Sequence, residues 1–252
     1  MKITVVGLGK IGLPLAVQFA RKGHQVFGAD INAQTVDLIN KGTEPFPGEA
    51  NLAQYLKHEV SSGRLEATTD IGGAVGRSEA VVIAVPLFVN EQKQPEFSAI
   101  DAATLEIGKA VQKGTLVSYE TTLPVGTTRT RLTPVLERES GLVEGLNLHV
   151  AFRPERVFSG RVFSDLSKYP KLVGGVSRES ENAAVAFYES VLDFDERPDL
   201  PKENGVWSLG SSEAAEMAKL AETTYRDVNI GLANQFALHA ESLGVNVYEV
   251  IQ

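Results

Sequence analysis

Val5-Val6-Gly7-Leu8-Gly9-Lys10-Ile11-Gly12 is the stretch whose reading decides the fold. Ile3 to Val6, which leads into it, is rich in β-branched residues with no helical period, and this predicts a buried strand. Gly7, Gly9 and Gly12 have the G-x-G-x-x-G spacing. In that pattern the first glycine permits a tight turn and the second lets a diphosphate approach the backbone. The third lets the following helix pack on the strand. That helix is expected from Leu13 to Lys22, and the free N–H groups and dipole at its start favour an anion. A bare triplet is also what a glycine-rich turn provides, so the context decides. Gln25 to Ala29 reads as a second strand. Asp30 closes it about 20 residues after the glycines, where an acid hydrogen-bonds the adenine-ribose hydroxyls. A carboxylate there repels a 2′-phosphate, which favours NAD over NADP. Asp30 is equally suited to capping a helix from Asn32 to Asn40, and the two roles are compatible.

Composition narrows the partners. The 252 residues suffice for one large domain or one plus a fraction. A hydrophobic content of 43% and a charged content of 22% are those of an ordinary water-facing globular chain. The net charge of −8 argues against nucleic acid and anionic membranes as partners. With 0 cysteines there is no thiolate metal site and no thiol nucleophile in these residues. His24, His58, His149 and His239 form no ligand pair at helical spacing, so no metal is expected. The start of the chain lacks a basic region and enters a strand directly, and no apolar run is long enough to span a bilayer. A cytoplasmic location is the expectation.

Strand and helix patterns then alternate, which predicts a Rossmann-type α/β fold, a doubly wound parallel sheet with helices on both faces. Gly42 to Gly48 is irregular, Asn51 to Ser61 helical and Leu65 to Thr69 a strand. Ala80 to Val85 is a buried strand stopped by Pro86, and Leu87 to Ser98 a polar loop. A helix is expected from Ile100 to Gln112, a strand from Leu116 to Glu120, and a helix from Thr127 to Ser140 kinked by Pro134. Strands at Leu148 to Phe152 and Lys171 to Val176 precede a helix from Ser180 to Val191. An acidic, proline-bearing run from Asp193 to Gly205 marks a change, and residues 1–203 are expected to be one dinucleotide-binding domain. Beyond it Ser211 and Ser212 can cap a long helix with Glu213 and Glu216 in its first turn. Its apolar steps run to about Leu243, a rod of roughly 45 Å at ~1.5 Å per residue. One α/β domain cannot cover such a rod. Residues 204–252 are expected to open a helical central domain, with the helix at 212–243 joining two copies as a homodimer. Another helix is expected from Asn246, and a continuation past Gln252 with it.

Four segments, in order, carry a resemblance. They are Gly7-Leu8-Gly9 with Ile11-Gly12-Leu13-Pro14; Gly63-Arg64-Leu65 with Thr68-Thr69-Asp70; and Glu120-Thr121-Thr122 with Pro124, Gly126, Thr127 and Thr128. Pro154-Glu155-Arg156-Val157 with Gly160, followed by Glu216-Met217-Ala218-Lys219-Leu220, completes the set. Over its whole length the chain resembles the UDP-glucose/GDP-mannose dehydrogenase family. Pro154 to Val157 and Tyr225-Arg226-Asp227-Val228-Asn229-Ile230 are most similar to the UDP-N-acetylmannosamine and UDP-N-acetylglucosamine branch. The resemblance implies a four-electron oxidation of the sugar C6 alcohol to a carboxylate with reduction of two NAD, for polysaccharide synthesis. It also implies an aldehyde captured by a cysteine that lies beyond the long helix. The 252 residues alone are therefore not expected to complete the reaction.

The same resemblance implies site residues. Lys219 corresponds to the lysine that stabilises the oxyanion formed as hydride leaves, and Glu155 to the base that activates the hydrolytic water. Thr122 corresponds to a threonine that orders water near C6, and Thr121 to a neighbour of the nicotinamide ribose. Plainer readings stand beside these: a solvated helix lysine, a surface glutamate paired to Arg153 or Arg156, and strand-end packing for the threonines. Gly7, Gly9, Lys10, Ile11, Gly12, Asp30, Val85, Pro86, Thr121 and Thr122 make up the expected cofactor surface. Four places depart from the family, one of them Asn234-Gln235 in place of an Asn-Glu pair on the long helix. Thr223 replaces an asparagine one turn after Lys219, Lys10 replaces an aromatic, and Pro86-Leu87 replaces Pro-Thr. Thr223 completes the expected catalytic set.

Overall fold

The computed structural model describes residues 1–251. The chain runs β1 (Lys2–Val6), α1 (Gly12–Arg21), β2 (Gln25–Ala29), α2 (Ala33–Asn40), α3 (Leu52–Ser61), β3 (Leu65–Thr68), α4 (Ile71–Val75) and β4 (Ala80–Ile83). A two-stranded ribbon, β5 (Phe88–Val89) and β6 (Pro95–Glu96), precedes α5 (Ser98–Ala110) and β7 (Leu116–Tyr119). Then come a π-helical turn at Thr128–Leu132, α6 (Thr133–Ser140), β8 (His149–Phe152), α7 (Val162–Lys168), β9 (Lys171–Gly175) and α8 (Arg178–Val191). β10 (Val206–Ser208), α9 (Ser212–Ser242) and α10 (Val247–Val250) complete it.

Eight strands form one sheet in the order β10-β9-β8-β7-β4-β1-β2-β3. β1 lies inside it, paired in parallel with β2 and β4. Its apolar residues alternate between two cores, as the period of a strand requires. Ile3 and Val5 meet α1, α3 and α8 on one face, while Val6 meets α4, α5 and α6 on the other. Both faces are covered, which is why β1 and β4 read as continuous apolar runs.

The sheet departs from the expected wholly parallel arrangement at one place: β9 pairs with β8 antiparallel. The connection between them explains the reversal. It stays at the carboxyl edge, where Glu49 accepts hydrogen bonds from Gly160 N (2.6 Å) and Val162 N (2.7 Å). β9 therefore starts where β8 ends and runs back, which needs no crossover. β10 pairs with β9 in parallel and returns with it. The loop expected at Leu87 to Ser98 holds the ribbon, turned by Asn90, whose side chain accepts from Gln94 N at 2.9 Å. The expected kink at Pro134 takes a specific form: the wide turn before it bonds Thr133 N–H to Thr128 O, and Pro134 sits in the first turn of α6. There its missing N–H is tolerated.

α9 is capped by Ser211, whose side chain accepts from Ala214 N, and extends for 31 residues. Ser212, Ala215 and Glu216 are buried. Beyond the half-buried Leu220, its large apolar residues, among them Tyr225, Val228, Leu232 and Phe236, are exposed. No helix among the described residues is long and apolar enough to cross a membrane.

Candidate functional site

The carboxyl ends of β1, β2, β4, β7 and β8 form one rim, and most of the expected site residues follow those ends. Gly7 leaves β1 with φ +89°, and a Cβ there would lie 3.0 Å from the Ala84 backbone. A Cβ on Gly12 would fall 1.8 Å from Gly7 O, so α1 abuts the turn as only glycine allows. A Cβ on Gly9 would meet nothing within 4 Å, so this turn faces open space. Ile11 provides no side-chain cap; Leu13 N is bonded to Gly9 O and Pro14 has no N–H, so the Gly12 N–H is the helical amide left to an incoming anion. Lys10 is exposed and borders, with Gly9, a cleft closed on its other side by Phe46 to Glu49 and Ser159-Gly160.

Asp30, half-buried at the end of β2, accepts from Leu8 N (2.8 Å) and Asn32 N (2.9 Å). The cap of α2 is Asn32, whose side chain accepts from Gln34 N and Thr35 N, so the capping alternative for Asp30 is not the one adopted. Thr121 Oγ1 donates to Val85 O at 2.6 Å, tying the ends of β7 and β4 together. Pro86 and Thr122 lie exposed on the same rim. An adenine dinucleotide fits these residues, with its diphosphate at an open, uncapped helix start and its ribose near a fixed carboxylate.

Glu155 lies three residues past β8 and is buried, not a surface carboxylate. Its Oε2 accepts from Arg153 Nη1 at 2.6 Å, and its Oε1 accepts from the N–H groups of Arg156 (2.7 Å) and Val157 (3.1 Å). Burial works to raise its pKa, but the charges of Arg153 and Lys171 and the hydrogen bonds outweigh it, holding the carboxyl below the usual range. The same Arg153 Nη1 donates to Glu120 Oε2 at 2.5 Å. Tyr188 Oη donates to Glu120 Oε1 at 2.7 Å. For Glu120 burial dominates, and with Glu155 reinforcing it the carboxyl is pushed up to about 7. Burial likewise pulls the Lys171 ammonium down to about 8.

Lys219 is not a solvated lysine: its Nζ donates to Glu155 O at 2.5 Å from one turn past Glu216. Burial lowers its pKa, opposed by Glu155 and Glu222. Beside it a cavity of about 230 Å³ is lined by Arg156 to Ser159, Lys219, Glu222, Thr223 and Arg226. Thr223 Oγ1 donates back to Lys219 O at 2.8 Å, so the hydroxyl is turned onto its own helix. Glu216 fixes this helix in place. Its carboxylate accepts from Gly126 N (2.5 Å), Thr128 N (2.8 Å) and Thr128 Oγ1 (2.6 Å).

Sequence reasoning offers Arg153 only as a surface partner of Glu155, a pairing that forms but in the interior, and gives Glu120 and Glu216 no part in the site. A signal for Glu120 and Arg153 exists. Tyr119 and Phe152 are register partners, and each is followed by a charge of opposite sign. Two opposite charges one step past the ends of neighbouring buried strands must meet.

A glycine turn open at a helix start, with an acid ending β2 and a lysine bonded to the main chain of a buried glutamate on the same rim, belongs to the dinucleotide-binding class of α/β domains. Residues 1–192 match the UDP-glucose/GDP-mannose dehydrogenase family, NAD binding domain, and residues 213–252 match that family's central domain. The chain belongs to the UDP-glucose/GDP-mannose dehydrogenase family, and NAD is the dinucleotide of its first domain. It is 38% identical to the UDP-N-acetyl-D-mannosamine dehydrogenase of Pyrococcus horikoshii, a match covering 100% of this chain and 57% of that protein. It is 36% identical to the NDP-N-acetyl-D-galactosaminuronic acid dehydrogenase of Ralstonia nicotianae, covering 99% of this chain and 56% of that one. The solved UDP-D-ManNAc dehydrogenase structure from Pyrococcus horikoshii matches with a TM-score of 0.90 and 37% identity, covering 100% of this chain and 56% of that one. The chain thus spans little more than half the length of the relatives it matches.

Proposed function

We propose that this chain is the cofactor-binding part of an NAD-dependent dehydrogenase that oxidises the C6 alcohol of a UDP-N-acetylhexosamine to the uronate, in polysaccharide synthesis. The observation that carries the reading is the contact between Lys219 Nζ and the main-chain O of Glu155, which seats a cation on the rim at the residue whose carboxylate is buried there. NAD, when bound, is the two-electron acceptor. The cleft at Gly9 and Lys10 receives its diphosphate, and Asp30 accepts from the adenine-ribose hydroxyls. Lys219 holds positive charge beside the C6 oxygen, where a partly desolvated ammonium stabilises a developing oxyanion more strongly than one in water does. Glu155, kept as a carboxylate by Arg153 and Lys171, accepts a proton from the hydrolytic water. Thr122 orders that water, Thr121 borders the nicotinamide ribose, and Thr223 supports Lys219 through its own carbonyl. These 252 residues contain no cysteine, so capture of an aldehyde on a thiol is not a step they supply.

The reading divides the chain into a dinucleotide-binding unit over 1–203 and a helical unit from 204. The β10 ladder to β9 ties residues 206–208 to the first unit's sheet. The exposed apolar face of α9 supports a homodimer through 212–243, and the reading assigns the protein to the cytoplasm. The test is substrate profiling of the intact protein. Turnover of UDP-N-acetylmannosamine or UDP-N-acetylglucosamine is expected. Turnover of UDP-glucose alone would replace this substrate class, and binding of NADH without any turnover would leave a non-catalytic dinucleotide module. In the same assay Lys219→Ala is expected to lower kcat at least a hundredfold with little change in NADH affinity.

A further inference from the structure

We propose that Glu120 is a positioning residue that governs how firmly Arg153 holds Glu155, and so how strong a base Glu155 is. The inference rests on the reading of Glu155 as the base. Arg153 lies wholly buried and meets both carboxylates through one nitrogen, Nη1, at 2.5 Å to Glu120 and 2.6 Å to Glu155. Its Nε and Nη2 have no hydrogen-bond partner among the described residues. The guanidinium also lies over the Tyr188 ring at 5.0 Å, but its hydrogen bonds go to the two carboxylates, and what one gains in its grip the other loses.

A buried carboxylate–guanidinium–carboxylate cluster is a poor way to stabilise a fold. Apolar residues of similar volume do as well or better, because desolvation consumes most of the attraction. Its distinctive property is linkage. Two acids sharing one cation do not titrate independently, and their environments here push them apart. Besides Arg153 and Glu155, Tyr188 of α8 donates to Glu120 Oε1 and is itself met by Ser118 of β7 at 2.7 Å; Lys171 of β9 interacts with Glu120 by charge, and Arg156 acts on Lys171 in turn. Glu120 takes and loses its proton near neutrality while Glu155 stays charged. When Glu120 is neutral, Arg153 turns its charge on Glu155 and weakens it as a base. When Glu120 ionises it draws Arg153 back, and Glu155 becomes more basic within the working pH range.

The direct readout needs no turnover. In this chain with glutamate Cδ labelled by carbon-13, the Glu155 carboxyl resonance should show, besides its own acid titration, a second inflection near pH 7. Glu120→Gln keeps an acceptor for Arg153 and Tyr188 but cannot ionise, and should abolish that inflection. Tyr188→Phe removes the hydroxyl that favours the Glu120 carboxylate and should move the inflection to higher pH, which keeps the test decisive if Glu120→Gln does not fold. In the intact enzyme the hydrolytic step should gain a limb near pH 7 that Glu120→Gln loses, with the KM values unchanged. A Glu155 resonance with no feature near neutrality would overturn the proposal. So would an inflection that persists in Glu120→Gln, which would belong to Lys171. Glu155→Gln separates the two levels. If hydrolysis survives it, the base reading falls, while the inflection in the unsubstituted chain still reports the shared guanidinium. If hydrolysis is lost and the unsubstituted chain shows no inflection, only the present proposal falls.

Discussion

Arg153 is where single-residue chemistry matters most. It is completely buried, and two carboxylates depend on it. Arg153→Met would take from both the one cation hydrogen-bonded to them, leaving Lys171 as the remaining positive charge in a dry site, and such a loss costs about 3–5 kcal/mol. Urea unfolding at pH 7 should show a loss of that size. The deficit should shrink as the pH falls, because protonation neutralises the orphaned acids in the folded state before it does so in the unfolded one. Asp30 offers a second residue-level prediction. Wild-type protein should bind NADH more tightly than NADPH, and Asp30→Ala should narrow the gap, as read by fluorescence titration. An unchanged ratio would remove the ribose role. Asp30 was legible because the glycine turn fixes the distance to it. Glu120 and Arg153 were not, since a charge ending an apolar run normally marks where a strand surfaces. Only the register of β7 against β8 reveals that both stay inside.

Among the elements, α9 and the turn at 126–128 act as one piece, because Glu216 bonds two backbone amides and a hydroxyl of that turn. Glu216→Ala should speed hydrogen exchange at the Gly126 and Thr128 amides by an order of magnitude or more, since each lost hydrogen bond is worth about 1 kcal/mol or above. The first turn of α9 has a second tie, from Arg129 to Glu213. The hydrogen bond from Arg129 holds the Glu213 carboxyl down at about 2. A folded-state pKa below the unfolded one gives a contribution that is whole above about pH 5 and fades as the pH drops toward about 2. Arg129→Ala should therefore lower Tm at pH 6 and leave it nearly unchanged at pH 2, and modestly even at its maximum because both side chains are partly exposed. β1-α1-β2 could be read from sequence almost to the residue, since the glycines punctuate it. The direction of β9 could not, because alternation of apolar residues has no sense along the chain. α4, α7 and the ribbon were too short to impose a period.

Over the whole molecule, one end of the chain is bound into the sheet domain and the other stands apart from it. The order of contacts along α9 is regular. Ser211 and Ser212 lie against Gly174, Lys219 meets Glu155, Glu222 pairs with Arg156, and Arg226 stacks over Phe158 at 5.2 Å. The helix thus begins below the rim, because β9 and β10 run backward, and passes the rim on its way out. Its outer half presents Tyr225, Leu232 and Phe236 to solvent. If that face joins two copies, Phe236→Glu should shift sedimentation toward the monomer and leave NADH affinity unaltered. Mechanically, α9 is a cantilever, with its root held from Ser212 to Arg226 and Lys219 inside that seat. A stiff beam transmits torque, so whatever leans on its outer half loads the seat in which the ammonium of Lys219 lies.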